Sequence, residues 1–514
     1  MKLTVAQIAR FSDGEILFGE PEAVVTSAAT DTRRLVPGGM FIALQGINDD
    51  GHRFVNRAIK EGAALILVSR RAAAEQVVGL ASRKGCAAVL VPDTLIALHA
   101  IAREWVAVIG ATVIGITGST GKTSTKEMMA CVLGQRFKVA YTHGNQNNEY
   151  GVPLTVLGAE ADDEVLIVEM GMRGLGQIKQ LCDIVSPTIG VVTSIGPSHI
   201  ELLGSIENII EAKSELIKAL PQEGLAVFEA GKSYTPCLQE ASPGRTMTVG
   251  IDSDDAKIMA TKVALDAGGC PRAHVMSLRD AFDVTLHVPG LHQLSNALLV
   301  IAVAQELGIP SVIIEKGLQQ ARLTGMRFKI DINRRSEVMV INDAYNANPN
   351  SVEQAILTLA SMDVPRRRVC VLGDMLELGD ISCDEHYRIG QRVAKAGMQG
   401  LFAYGDYAQD MVRGAHDAGL SAARAYDWIE FDVLEGEVQD FVQAGDCVLV
   451  KASRGMELER IAFALLDIDP PPSQCADDDR SSDTAEHAVL QETEPLQQID
   501  VDRETSSEGG MNAY

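Results

Sequence analysis

Seven consecutive residues, Gly118-Ser119-Thr120-Gly121-Lys122-Thr123-Ser124, have the types and spacing to hold a phosphate chain. An apolar run at 113–116 precedes them, and Met128, Met129 and Val132 follow at helical spacing. A strand, a glycine loop and a helix together make a phosphate cradle. The glycines let backbone N–H groups close on an anion, the helix N-terminus favours negative charge, and the lysine reaches the terminal phosphates. A hydroxyl directly after that lysine, here Thr123, can ligate Mg²⁺. The expected ligand is ATP or a relative. In the strict form G-x-x-x-x-G-K-[ST] the first glycine would sit at position 116, which is Ile; the neighbouring glycines are Gly115 and Gly118. The loop therefore departs from that of ordinary GTPases. A Gly-rich turn without a ligand is the bland alternative; the lysine, both hydroxyls and the flanking pattern speak against it.

Other polar residues sit where such a site could use them. Glu169 closes the apolar run 164–169, and ligands of doubly wound sheets lie at that strand edge. A carboxylate there can bind Mg²⁺ directly or through water, or be a surface glutamate at a strand end. His199 follows the run 188–194. Lys213 falls on an amphipathic helix with Ile206, Ile209, Ile210, Leu216 and Ile217, where a lysine ordinarily marks a solvated face. The stretch GNQNNEYGVPLT (144–155) sets Asn145, Asn147 and Asn148 ahead of an expected strand-turn segment; such amides bind a substrate or cap turns. In INDAYNANPNS (341–351), Asp343 ends a strand and Tyr345, Asn346, Asn348 and Ser351 follow. The motif LGDMLELG occupies 372–379. VKASRG (450–455) places Lys451 and Arg454 after a strand, where cations can reach phosphates or a carboxylate.

These residues need a scaffold, and the pattern of elements supplies one. Strand-like runs at 164–169, 188–194 and 224–228 alternate with helical stretches, which reads as a parallel sheet covered on both faces. A long helix is expected at 291–307, closed by Gly308 and Pro310. Further strands are expected at 337–342, 368–373, 400–404 and 447–451, in a unit without a phosphate loop. The fold class is α/β with three domains: an N-terminal α/β unit (1–108), a central P-loop parallel sheet with helices on both faces (109–308), and a C-terminal Rossmann-like α/β unit (309–468). From 469 to 514 the composition turns acidic, with twelve Asp and Glu against two Arg, and reads as a disordered tail.

The net charge is −24. Non-specific binding to nucleic acid or to an anionic membrane is therefore not expected. No apolar run reaches the roughly twenty residues of a membrane span. Nine scattered cysteines, none in a C-x-x-C pair, read as reduced thiols of a cytoplasmic protein. No export signal is visible at the N-terminus.

Taken in order, ITGSTGKTST, the VEMG strand end, SHIELLGSIENIIEAKSEL, PGLHQLSNAL and the Asp343 loop resemble the Mur ligases. The resemblance runs from about residue 24 to about residue 465, and ATDTRRLVPGGMFIALQGINDDGHRF resembles the domain that grips the UDP-sugar half of the substrate. NQNNEYGVPLT, DAYNANPNS and VLGDMLELG are similar to the family member that joins D-alanyl-D-alanine to UDP-N-acetylmuramoyl-tripeptide. The resemblance implies a cytoplasmic, ATP-driven amide ligase of peptidoglycan precursor synthesis, acting as a monomer with two Mg²⁺ ions. It implies ATP contacts at Gly118, Ser119, Thr120, Gly121, Lys122, Thr123, Ser124, Asn296, Arg327 and Asp343. It implies metal or catalytic roles for Lys122, Thr123, Glu169, His199 and Lys213, the last carbamylated by CO₂. Substrate contacts follow at Asp31, Thr32, Arg33, Asn147, Asn148 and Asn346. Arg327 stands in the run Thr324-Gly325-Met326-Arg327, which differs from the simple Gly-Arg of some relatives.

Three rivals remain. A family member that adds the third amino acid differs in the loop held here by DAYNANPNS. Folylpolyglutamate synthase begins close to its phosphate loop, without the first hundred residues found here. A P-loop switch would hydrolyse nucleotide without needing either amide-forming substrate.

Overall fold

The computed structural model describes residues 1–46, 49–323 and 325–469. Thr324 and the expected acidic tail from 470 onward lie outside the described residues. Three large sheets and a two-stranded ladder organise the chain. Among the described residues no helix is long and apolar enough to cross a membrane, and eight cysteines are free thiols.

The central sheet has nine strands, in the order Ala281–Thr285, Pro271–Met276, Ile258–Leu265, Arg245–Ile251, Leu225–Glu229, Ile189–Val192, Thr112–Thr117, Val165–Glu169, Val139–Tyr141. From Ile258–Leu265 onward all neighbours are parallel. Side chains alternate between faces: Val113, Leu166 and Val168 enter one core, and Ile114, Ile116, Val165 and Ile167 the other. Both cores are covered by helices, so these strands read as unbroken apolar runs. The first two strands turn one edge antiparallel. An apolar-run reading does not find that edge, because its strands alternate buried residues with exposed ones such as Lys262 and Arg272.

Residues 151–158, expected as strand and turn, form the helix Gly151–Gly158. Pro153 is its third residue, where a missing N–H costs the helix no internal bond. The expected long helix forms as Leu291–Glu306.

The N-terminal sheet is ordered Glu15–Phe18, Ala87–Leu90, Leu65–Val68, Met40–Ile42, Ala28–Ala29. One of its faces packs Met40, Ile42, Leu65 and Leu67 into the same core as Leu98, Ile101 and Trp105 of helix Thr94–Ile109 and Val168 of the central sheet. The C-terminal sheet is ordered Lys329–Ile332, Met339–Asn342, Cys447–Lys451, Arg368–Gly373, Gly400–Tyr404, Ala423–Tyr426. Only its first strand is antiparallel. Helix Ser311–Gln320 precedes this sheet in the chain, yet Ile314 and Leu318 pack into the central core. A Cβ on Gly317 would lie 2.7 Å from the Val132 backbone, so that helix sits tightly on helix Lys122–Leu133.

Candidate active site

Strand Thr112–Thr117 delivers the chain to the glycine loop, and helix Lys122–Leu133 leaves it. The loop needs glycine at two positions. Gly118 holds φ +151°, and a Cβ there would fall 2.0 Å from Thr193 Oγ1; Gly121 holds φ +83°, and a Cβ there would fall 2.6 Å from Asn296 Oδ1. The neighbouring strand end pins the loop. Ser119 N donates to Ser194 O at 2.8 Å, Thr120 N to Ser194 Oγ at 3.1 Å, and Ser119 Oγ to Gly196 O at 2.9 Å. Lys122 Nζ folds back onto Gly118 O at 2.7 Å. Burial lowers the Lys122 pKa; the Glu169 carboxylate opposes this and the Arg327 cation adds to it.

Glu169 ends the strand beside the loop, and its side chain is the hub of the site. Thr123 Oγ1 donates to it at 3.0 Å, Asn147 Nδ2 at 3.0 Å, and Lys126 Nζ lies 3.2 Å from Oε2. Burial pushes the carboxyl pKa up, but the Lys126 and Lys122 charges and the Asn147 hydrogen bond outweigh burial and hold it below the ordinary value. Glu169 is therefore an anion at neutral pH, with a hydroxyl oxygen beside it. That pair of hard oxygen donors suits Mg²⁺.

The C-terminal sheet brings its own strand ends to the same space. Asp343 follows Met339–Asn342 and accepts from Phe328 N at 3.0 Å; Lys451 Nζ lies 2.8 Å from Asp343 Oδ2 and donates to Asn346 O at 2.8 Å. The Arg327 guanidinium stacks over the Tyr345 ring at 4.0 Å. On helix Leu291–Glu306, Asn296 Nδ2 donates to Gln293 Oε1 at 2.9 Å.

One cleft of about 1800 Å³ receives all of this. It is lined by Ser119, Thr120, Gly121, Lys122, Thr123 and Ser124, by Asn147, Asn148, Glu169 and His199, and by Asn296, Arg327, Asp343 and Asn346. Thr30, Arg34 and Gln45 reach it from the N-terminal sheet. Four expected residues stand back from the wall. Asp31 and Arg33 pair with each other at 2.8 Å, Thr32 is buried, and Gly118 is buried at the start of the loop. Lys213 is also outside the wall, and it is not on a solvated face: only 2 % of it is exposed. Burial, then the nearby Lys122 charge, lowers its pKa well below the ordinary lysine value.

His199 Nδ1 shares a hydrogen bond with Glu377 Oε2, reached from the C-terminal segment. Sequence reasoning missed Glu377 and Lys126 as members of the site. LGDMLELG contained Glu377 without a partner in view. Lys126 sits one turn past the loop lysine, on the face where Thr123 also points, and helical spacing from Lys122 would have found it.

A glycine-loop nucleotide cradle, a buried carboxylate beside its threonine, and three α/β segments around one cleft describe an ATP-using enzyme of the P-loop type. The chain belongs to the Mur ligase family. The family's models match in three blocks: the "Mur ligase family, catalytic domain" at 24–111, the "Mur ligase middle domain" at 116–304, and the "Mur ligase, glutamate ligase domain" at 326–454. The UDP-N-acetylmuramoyl-tripeptide–D-alanyl-D-alanine ligase of Bacillus subtilis is 35% identical over 91% of this chain and 99% of its own length. Among solved structures, MurF from Acinetobacter baumannii superposes with a TM-score of 0.80 at 27% identity, covering 91% of this chain and 99% of that one. MurF ligase from Thermotoga maritima in complex with ADP gives 0.72 at 27% identity, covering 86% and 97%.

Proposed function

We propose that this protein joins D-alanyl-D-alanine to UDP-N-acetylmuramoyl-tripeptide at the expense of ATP, in the cytoplasm and as a monomer. The observation that carries the reading is the shared cleft. Its volume of about 1800 Å³ exceeds the roughly 300–1,000 Å³ of an ordinary small-molecule site. That suits a nucleotide, a nucleotide-sugar peptide and a dipeptide held together. In this reading residues 1–108 grip the UDP-sugar, 109–308 bind ATP, and 309–468 close over ATP and the dipeptide.

The reaction brings together two anions and an amine. The terminal carboxylate of the tripeptide attacks the γ-phosphorus, ADP leaves, and an acyl phosphate forms. The dipeptide amine attacks the acyl carbon, loses a proton, and expels phosphate. The cradle residues Gly118 to Ser124 bind the phosphates, with Lys122 turning from Gly118 O to the β- and γ-oxygens. Arg327 adds charge from the other wall, Asn296 contacts the nucleotide, Asp343 approaches the phosphates and ribose, and fixed donors of this kind stabilise charge that develops during transfer. Asn147, Asn148 and Asn346 orient the peptide substrates, and the segment of Asp31, Thr32 and Arg33, whose neighbours Thr30 and Arg34 line the cleft, meets the UDP part. Proximity supplies much of the remaining acceleration.

Thr123 and Glu169 would hold one Mg²⁺, and His199 with Lys213 a second. The ions, when bound, neutralise phosphate oxygens. An ammonium cannot ligate a cation. A neutral Lys213 amine can attack CO₂ and release a proton, leaving a carbamate oxygen that can. Its burial and lowered pKa favour the neutral form. The test is phosphate release measured with ATP and each substrate omitted in turn. Release should require both UDP-tripeptide and dipeptide; hydrolysis of ATP alone at the full rate would point to a P-loop switch.

A further inference from the structure

The motif LGDMLELG at 372–379 has no part in the steps above. Its Glu377 leaves the C-terminal sheet and crosses to the central segment. There its carboxylate meets His199 Nδ1, 178 residues away in sequence, while Arg173 Nε lies 4.0 Å from the other oxygen. Both hydrogen-bond partners hold a left-handed backbone: φ is +56° at His199 and +61° at Glu377. Non-glycine residues persist there only where their surroundings over-determine them, and such positions cluster at functional sites.

The surroundings do so from both sides of the seam. Glu201 N, an end donor of the short helix Ile200–Leu203, donates to Glu377 O at 3.3 Å. Ile200 packs against the C-terminal core that includes Leu378. A Cβ on Gly379 would lie 3.3 Å from Glu201 Cβ, and one on Gly196 would lie 2.1 Å from Asn350 Nδ2. The two segments are fitted to each other along this line, and the His199–Glu377 contact is part of the fit.

The hydrogen bond has a chemical consequence. In a neutral imidazole the nitrogen that faces a carboxylate carries the proton, and the other presents a lone pair. With Glu377 on Nδ1, the neutral ring presents its lone pair at Nε2. A carboxylate that fixes the ring and tautomer of a metal-side histidine contributes about 10–100-fold to metal affinity or activity.

We propose that Glu377 is a positioning residue. It holds His199 with Nε2 turned toward the site, so that closing the C-terminal segment and preparing the histidine for a divalent cation are one event. The inference rests on the ligase reading and on His199 serving the second Mg²⁺. The bland alternative is a plain ion pair between two segments.

Full-length protein, Glu377→Ala and Glu377→Gln separate the two. Three quantities are read: the Mg²⁺ dependence of phosphate release with ATP, UDP-tripeptide and dipeptide; solution scattering without substrates; and the ring ¹⁵N shifts of His199, assigned with His199→Gln. Glu377→Ala should raise the Mg²⁺ concentration for half-maximal rate about tenfold or more, expand the particle, and abolish the Nδ1–H tautomer signature. Glu377→Gln should recover part of each, because its amide oxygen still accepts from Nδ1. A wild-type Mg²⁺ dependence and wild-type ring shifts in Glu377→Ala would overturn the proposal. So would expansion alone, which would reduce Glu377 to a latch. If the wild type releases no phosphate with all three substrates, the ligase reading has failed instead, and the ring shifts still judge Glu377.

Discussion

In the proposed reaction Lys122 joins the loop to its chemistry through one atom. Its Nζ is spent on Gly118 O, a contact of 2.7 Å within its own loop. Removing the side chain takes nothing from either core of the central sheet. Lys122→Ala should therefore keep the wild-type melting temperature and lose about a hundredfold or more of turnover, the usual scale when a charge-stabilising donor at a transferring group is deleted. Phosphate release and thermal melts on the same samples check both halves. His292 makes a second residue-scale case. Its Nδ1 is buried without a partner, and burial pushes its pKa down from 6.5 to about 4, with Asp343 opposing and Lys451 adding. Between those two values the unfolded chain takes up a proton that the folded chain refuses. Stability thus falls as pH drops through that window, by at most about 1.4 kcal/mol per pH unit for one proton. His292→Leu should lose that slope. Urea melts at about pH 7 and about pH 4.5 give the difference, in which the other titrating groups cancel. Equal slopes in variant and wild type would remove the neutral-histidine assignment.

The elements explain what could be read in advance and what could not. Strand, loop and helix around 112–133 were legible because each has its own signal: an apolar run, glycines, and a 3.6-residue period. The same holds for strands such as Cys447–Lys451, buried along their whole length. The antiparallel edge at 258–285 was not legible, because one face is wet and its residues resemble loop. Nor was the helix Gly151–Gly158, since Gly and Pro near a start look like a turn. At the site, the cradle and Glu169 could be found by position. The burial of Lys213 and the pairing of His199 with Glu377 could not, because helix pattern alone reads charge as exposed and says nothing of partners from another sheet. The loop itself offers a test at this scale. Gly118→Ala must either keep φ +151° at a cost of about 1–3 kcal/mol or shift away from Thr193, whose Oγ1 stands 2.0 Å from the new Cβ. Both routes displace the cradle. The expected outcome is a rise in the ATP Michaelis constant larger than the change in melting temperature. A variant with wild-type ATP use would show that the loop backbone is not where the phosphates lie.

At the scale of the whole molecule, the three sheets are not equally coupled. The N-terminal and central sheets share one core through helix Thr94–Ile109. The C-terminal sheet keeps its own two cores and meets the rest along a seam that mixes polar contacts such as His199–Glu377 with a small apolar one at Ile200. Segments joined by polar seams move more readily than segments joined by a common core. The division suits the proposed reaction, in which the C-terminal segment would open to admit the dipeptide and close before the amine attacks. It also explains why cations stand on both walls of the cleft of a protein with a net charge of −24: Lys122 and Arg173 on the central wall, Arg327 and Lys451 on the other. In the proposed reaction, local charge holds the anionic substrates against an acidic whole. The most direct test of the account is mass spectrometry of the product formed from UDP-N-acetylmuramoyl-tripeptide, ATP and D-alanyl-D-alanine. The account predicts the UDP-linked pentapeptide, with one ADP and one phosphate formed per amide. A UDP-tripeptide left unchanged while ATP is consumed, or extended by a single amino acid, would contradict it.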